Sequence, residues 1–478
     1  MAAFPLFRLF SGSCSVPSGL LFLVLATGIS CTSVPDRDNT TESLEIPAAF
    51  SHQGGEALSP RWWLDFPDPA LHAFIEEALS SNFSLQSSWA RLAQAEAFLK
   101  RSRVPFFPTV SASLAGDSTE RENLPGTDGE SYTGSLTAAY EVDLWGSVRN
   151  SAQAARLDRD STAESLQAAA ISLSAQVASV YYQLVEQRGQ LALLERQIQT
   201  VSDTLEVIQT RFKRGKVDAI DVLQQERLLE ARRGNRQEVV SRIAVLEHTL
   251  ALLLGQEPIG ASFETPDTLP VLSAVPQTGI PSRRLQARPD VRAAYFELLA
   301  ADRRAAAAVA DQFPSLRING SLRSTELEVT DLFDSWVASL GASLAQPLFD
   351  AGLRRSEVER TRAAAEIRLN TYLSTILTAL KEVEDALVQE RQQEALIRSL
   401  ERQVDLASRV VRQSRERYLR GAESFLRVLD AEQTLQNLER SLLTARRLRV
   451  DFRINLSRAL AGPVELPQPD NFPRYPSP

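Results

Sequence analysis

Two hydrophobic periods run along this chain. In 109–116 the even positions Val110, Ala112, Leu114 and Gly116 are apolar or small, and Thr109, Ser111 and Ser113 between them are polar. Alternation of that kind gives a β-strand one apolar and one polar face. In 131–144, Tyr132, Leu136, Ala138, Tyr140, Val142 and Leu144 alternate with Ser131, Thr133, Ser135, Thr137, Glu141 and Asp143. Further on, Leu316, Ile318 and Leu322 alternate with Ser315, Arg317, Asn319 and Ser321, and Trp336, Ala338, Leu340, Ala342 and Leu344 with Ser335, Ser339, Gly341 and Ser343. The pattern predicts two β-hairpins, 109–144 and 315–346, with polar loops at 117–130 and 323–334.

The second period is helical. Leu166, Ala170, Leu173, Val177, Val180, Leu184, Leu191, Leu194, Ile198, Val201, Leu205, Ile208 and Phe212 advance by three and four, with Gln187 interrupting the stripe. That is a heptad seam, and a helix over 148–213 would measure roughly 100 Å at 1.5 Å per residue. Tyr372, Ala379, Val383, Ala386, Ile397, Leu400, Val404, Ala407, Val411 and Tyr418 form a second seam. Gly215 and Gly421 allow the chain to reverse into shorter helices over 218–254 and 424–461, the first with Val239, Ile243, Leu246, Leu250 and Leu253 as its seam. Taken in isolation, most such seams are plain structural spacers.

The two periods recur in one order because the chain is duplicated at an offset of about 206 residues. Phe107-Pro108 lies over Phe313-Pro314, Arg211–Gly215 over Arg417–Gly421, and Val222-Leu223 with Glu226 over Val428-Leu429 with Glu432. Each copy begins with a helix, 69–103 or 289–311. The first repeat therefore spans 61–255 and the second 289–462, separated by a connection at 256–288 and followed by a tail at 463–478.

Alternating strands of roughly ten residues with Tyr132, Tyr140 and Trp336 near their ends satisfy a transmembrane barrel and its aromatic belt. A soluble half-buried sheet has the same pattern. Four strands cannot close a barrel, for which about 8 is the smallest number. Either several chains contribute, or the sheet stays out of the membrane.

Composition narrows the chemistry. The 478 residues are 44% hydrophobic with 52 basic and 60 acidic side chains, so no basic excess exists to bind nucleic acid. His52, His72, His248, Cys14 and Cys31 lie too far apart to form a metal motif, and no phosphate loop or nucleophile elbow occurs; neither metal nor cofactor is expected, and enzymatic activity has no support. The long apolar run Leu20–Ile29 covers about ten residues, against about 20 for a spanning helix. With Arg8 ahead of it, that run is a signal-peptide core, so 1–30 is expected to direct export. Ile29-Ser30-Cys31 resembles a lipoprotein cleavage site, although Gly28 replaces the usual leucine. Lipid attachment at Cys31 would leave 31–60 as a tether; ordinary cleavage leaving a free thiol is the alternative.

The signal, paired strands and helical hairpins together resemble the outer membrane factor family, the TolC and OprM type, and within it the NodT-like efflux lipoproteins. The likeness is carried by Arg61-Trp62-Trp63-Leu64-Asp65-Phe66 with Asp68-Pro69 and Leu71, by Tyr140–Gly146, by Gln346-Pro347-Leu348-Phe349-Asp350 with Gly352, and by Arg417-Tyr418, Gly421 and Val428–Glu432. It implies a mixed α+β membrane protein: a homotrimer whose twelve strands close one transmembrane barrel, continued by a periplasmic α-helical tunnel with an equatorial domain formed by 61–68, 256–288 and the tail. It further implies a passive outer-membrane exit duct, served by a periplasmic adaptor and an inner-membrane pump of the RND type. A type I protein-secretion duct and a soluble periplasmic coiled-coil scaffold are the competing readings.

The same resemblance places a gate at the periplasmic tip. Tyr418 and Asp430 match family positions, whereas Glu423 and Arg427 depart from the TolC type, the former being acidic as in the OprM type. Glu423 and Arg427, one helical turn apart, are expected to hold the tip closed with Asp430, while Asp218 and Asp221 add negative charge; solvated helix-end charges would look the same in sequence. The turns at Arg214, Gly215, Arg420 and Gly421 are the expected adaptor-docking points.

Overall fold

The computed structural model describes residues 46–52, 54, 55, 59–119, 129–332 and 334–467. The signal segment, Cys31, most of the tether, the centre of the first hairpin loop and the end of the tail lie outside the described residues.

The chain enters through a short 3-10 turn, Trp62–Asp65, and helices α1 (Pro69–Ser81) and α2 (Phe83–Ser102). The single helix expected over 69–103 is thus two. Asn82 is extended, and its side-chain oxygen accepts from the backbone N–H groups of Ser84 (2.9 Å) and Leu85 (3.1 Å), capping α2. Its amide nitrogen donates to the Leu253 carbonyl at 2.9 Å. The break is therefore held by a contact 171 residues away, which no local period encodes.

Strands β1 (Thr109–Thr119), β2 (Gly129–Val142), β3 (Ser315–Glu326) and β4 (Val337–Ala345) form one antiparallel sheet in chain order. Register unites the two copies: Leu136 lies opposite Ala112 and Leu322, and Ile318 opposite Tyr140 and Ala342. One face is apolar across all four strands. On the other, Ser111 meets Thr137 at 2.7 Å, Ser113 meets Ser135 at 2.9 Å, Ser321 meets Ser339 at 2.7 Å, and Arg317 pairs with Glu141 at 2.9 Å. Among the described residues, Leu332 lies over the apolar side at Gly134, but no second layer covers the rest of it: Leu114 is 73% exposed and Leu340 83%.

Helix α3 (Ser147–Lys213) leads away from the sheet and α4 (Ala219–Leu253) returns. After α5 (Pro281–Ala287) and α6 (Pro289–Ala310), the second copy repeats this with α7 (Leu353–Leu419) and α8 (Phe425–Leu460). Near the sheet the packing order is α2–α3–α6–α7, and towards the far end it is α4–α3–α8–α7. Helix α3 is always inside and α7 always at an edge. A stretch of α3 is apolar and long enough to cross a membrane by composition, unlike any sequence run noted above, but 67% of it is buried in the fold.

The main core lies where the two packing orders meet. Trp62, Trp63 and Phe66 pack with Tyr181, Tyr182 and Leu184 of α3, Leu250 and Leu254 at the end of α4, and Val450 and Ile454 of α8. Phe263 from the interrepeat connection and Val464 from the tail join them. Trp62 donates to Ser174 Oγ at 3.2 Å, and Tyr181 donates to Asp68 at 3.1 Å. Burial, then the Asp68 charge, pushes both tyrosine phenols far above their ordinary range.

Candidate functional site at the helical tips

Both long helices end in the same backbone device. Gly215 (φ 63°) and Gly421 (φ 74°) are left-handed, a region that costs a side chain about 1–2 kcal/mol. The N–H groups of Gly215 and Lys216 return to the carbonyls of Phe212 (2.8 Å) and Arg211 (2.9 Å), and those of Gly421 and Ala422 to Tyr418 (3.0 Å) and Arg417 (2.9 Å). These paired bonds are the Schellman arrangement, which satisfies the last carbonyls while turning the chain. Neither glycine has a neighbour within 4 Å of an added Cβ. Arg214 and Arg420 are exposed beside them.

The two hairpins are joined just inside the turns. Val201, Ile208, Leu228 and Leu229 of the first copy pack with Phe425, Val428 and Leu429 of the second. Tyr418 lies at the edge of this cluster, 5.5 Å from Phe425 between ring centres, with the Arg211 guanidinium 4.6 Å over its ring. A cation over an aromatic face contributes about 0.5–1 kcal/mol at exposed sites. Among the described residues, the buried hydroxyl of Tyr418 has no hydrogen-bond partner. Burial pushes its phenol up, Arg211 opposes this, and Asp221 adds to it.

The charged residues singled out from sequence are arranged differently from expectation. Helix α8 begins at Phe425 after the Ser424 cap, so Glu423 precedes the helix and is not one helical turn below Arg427. Glu423 instead lies 4.0 Å from Arg417, and its carboxylate accepts from the Ser424 N–H at 3.3 Å. Arg427 and Asp430 are exposed on α8. Asp218 occupies the N-cap position of α4 without a capping side-chain hydrogen bond, and Asp221 follows in the first turn, where burial and then the Asp218 charge raise its carboxyl above the ordinary range. Phe212, expected in the seam, is 45% exposed because the stripe runs past the last packed turn.

Sequence reasoning missed a cross-hairpin contact that both copies share. Arg415 Nε donates to buried Glu432 at 2.7 Å, and at the equivalent positions Gln209 donates to Glu226 at 3.4 Å. The duplicated glutamates were visible in the alignment of the copies, but their partners, 17 residues earlier on the opposing helix, become apparent only once the hairpin closes. At the other end of the molecule, Tyr132 and Tyr140 lie on the apolar face near opposite ends of β2, and Trp336 directly precedes β4.

This arrangement, an uncovered amphipathic sheet leading into long helical hairpins, matches known proteins. The model of the outer membrane efflux protein family matches residues 74–256 and 280–462, one block in each copy. The pyoverdine export outer membrane protein OpmQ of Pseudomonas aeruginosa is 30% identical over 429 residues, covering 84% of this chain and 87% of that one. Nodulation protein T of Rhizobium leguminosarum is 27% identical, covering 84% and 88%. Among solved structures, the outer-membrane channel OprN is similar with a TM-score of 0.81 at 26% identity, covering 90% of this chain and 99% of that one. With both copies of the repeat matched, and the sheet and helices in the same arrangement as in a known outer-membrane channel, the chain belongs to the outer membrane efflux protein family.

Proposed function

We propose that three copies of this chain close into one duct that carries efflux substrates through the outer membrane. The observation that supports this most strongly is the coincidence of open edges. Among the described residues, strands β1 and β4 pair on one side only. The edge helices α4 and α7 hold exposed Leu223, Val245 and Leu252 on one side and Leu377, Val388, Leu396 and Leu406 on the other. A neighbouring copy that continued the sheet would bring its α4 against α7 and cover both sets. Two copies would supply eight strands, whose interior side chains fill; three supply twelve and leave a lumen. The Ser/Thr face suits that lumen, and the apolar face suits lipid. Tyr132 and Tyr140, eight residues apart, would stand about 26 Å apart along the strand, close to the ~25 Å apolar band of such barrels.

In this reading the helices form a periplasmic tunnel, with Tyr132, Tyr140 and Trp336 as the aromatic belt. Asp218, Asp221, Tyr418, Glu423, Arg427 and Asp430 line the gate, where acidic side chains from three copies would narrow the pore electrostatically. The exposed turns at Arg214, Gly215, Arg420 and Gly421 receive a periplasmic adaptor, which links the duct to an inner-membrane pump of the RND type. Acylated Cys31 adds a lipid anchor. The duct is passive, so the pump selects the cargo. Conductance across planar bilayers by purified, heat-sensitive trimers tests the reading. A chain that stays monomeric, or inserts without conducting even after Asp430→Ala and Arg427→Ala, would reject it.

A further inference from the structure

The contacts that join the two copies inside one chain predict the contacts that a neighbouring chain would make. Within the chain, β2 pairs with β3, and α3 packs on α6 and, towards the tips, on α8. The duplication turns β2 and α3 into β4 and α7, the open edge of the second copy, and turns β3, α6 and α8 into β1, α2 and α4, the open edge of the first. The two hairpins keep this equivalence in their register: Thr109 lies opposite Ala139, and their counterparts Ser315 and Ala345 lie opposite one another. Inside the chain, Ala138 lies opposite Gly320. Their counterparts on the two open edges are Leu344 and Leu114, which stand 65% and 73% exposed on the apolar face.

The inner seam is fastened by charge. Arg292 of α6 holds Glu164 of α3 at 2.8 Å, Arg304 of α6 pairs with Asp158 of α3, and Arg447 of α8 lies 3.4 Å from Glu186 of α3. Glu164 and Glu186 are buried. The counterparts of these pairs on the open edges carry no charge: Gln86 and Asn370 replace Arg292 and Glu164, Phe98 and Ala364 replace Arg304 and Asp158, and Ser241 and Gln392 replace Arg447 and Glu186. Phe98 is 58% exposed. A neighbour's α2 in the place of α6 would set Gln86 against Glu164, and a neighbour's α4 in the place of α8 would set Ser241 against Glu186. Each exchange strands a buried carboxylate without its arginine, which is costly.

Resting on the duct of three copies proposed above, we infer that these replacements tell two otherwise equivalent seams apart. The ion-paired seam closes within a chain and the neutral one between chains. Whole chains therefore join in a single register, with Leu344 of one copy opposite Leu114 of the next, Asn370 beside Gln86, and Ala364 beside Phe98. Exchange of halves between copies, a characteristic failure of repeat proteins, is thereby disfavoured.

Cysteine pairing in the full-length protein, under mild oxidation, tests the register. Residues directly opposite in antiparallel strands lie within the Cα range of a disulfide, whereas residues displaced by two do not. Leu344→Cys with Leu114→Cys should link chains on non-reducing gels; within one chain the two positions lie at opposite edges of four strands, at least about 14 Å apart. Leu344→Cys with Ala112→Cys, and Gln346→Cys with Leu114→Cys, should not link them. The exchanged charges are tested on the heat-sensitive trimer. Asn370→Glu should lower its dissociation temperature by at least about 2 °C, and adding Gln86→Arg, which rebuilds the inner pair in the outer seam, should recover most of that loss. Trimers that link through a displaced pair, an Asn370→Glu trimer as stable as wild type, or a double variant no more stable than Asn370→Glu would overturn this inference and leave the duct standing. A wild type that forms no trimer would remove both. Should the cysteine variants fail to assemble, the Asn370 and Gln86 variants decide alone.

Discussion

Helices α3 and α7 are duplicates of identical length, each preceded by a left-handed glycine and ended by the same turn, yet they meet opposite surroundings. Helix α3 is packed on both flanks, and Val177, Tyr181, Tyr182 and Leu184 have no measurable exposure. Helix α7 has one flank open, with Ile367 at 64% and Leu377 at 52% exposure. Duplication supplied the backbone; place in the array decided what each side chain touches. The exchanged positions show this directly. Leu184 of α3 corresponds to Glu390 of α7, which is 2% exposed and grips the buried Arg453 through a two-oxygen contact whose longer bonds are 3.0 and 3.1 Å. Arg453 also donates to the Ser273 and Ala274 carbonyls at 3.0 and 3.2 Å, fastening the interrepeat connection to the helices.

The sharpest way to test that contrast is to remove each member of the exchanged pair. Glu390→Ala leaves Arg453 buried and uncompensated, and we expect a loss of about 3–5 kcal/mol in chemical denaturation. A loss below about 1 kcal/mol would show that water reaches the site. Leu184→Ala should cost about 2–5 kcal/mol through the cavity it leaves, whereas Leu377→Ala should leave the unfolding free energy of an isolated protomer within about 0.5 kcal/mol. Equal losses would contradict the inner and outer assignment of the two helices. In the assembled protein Leu377→Asp should instead weaken the heat-sensitive trimer on gels while circular dichroism stays unchanged.

The two turns should behave alike where the helices differ. Gly215→Val and Gly421→Val each meet open space, so both should lose only the backbone strain of a left-handed residue, about 1–2 kcal/mol. Unequal losses in melting temperature would reveal a contact made at one tip and not the other. The smallest effect concerns acid. The Asp221 carboxyl is raised, so the folded tip binds its proton more readily than the unfolded chain. Stability contributed by that group therefore rises as pH falls through the raised folded pKa and levels off below the unfolded value. Asp221→Asn should flatten this slope in melting curves taken between pH 7 and pH 4; an unchanged slope would assign the dependence to other carboxyls, such as Asp451, which burial also raises.

Much of the architecture was legible before the fold. Period two marks β1 to β4 and period three-to-four marks α3, α4, α7 and α8 because each records which side of one element avoids water, a property of neighbours along the chain. The turns at Gly215 and Gly421 were legible for the same reason, since a left-handed residue after a helix is a local demand. The site was legible in part. Tyr418 was found through its neighbours in sequence, but its contacts with Arg211 and Phe425, and the departure of Glu423 from the helix that holds Arg427, depend on how the hairpins close.

By itself, then, the sequence determined the elements, their amphipathic faces and their duplication, all written in spacings of two to seven residues. Only the tertiary structure decided that Asn82 breaks the first helix against Leu253, that α3 lies inside and α7 at the edge, and that Arg415 meets Glu432 across its hairpin. Those outcomes depend on pairings tens to hundreds of residues apart, where packing and charge balance select among faces that the local pattern leaves equivalent.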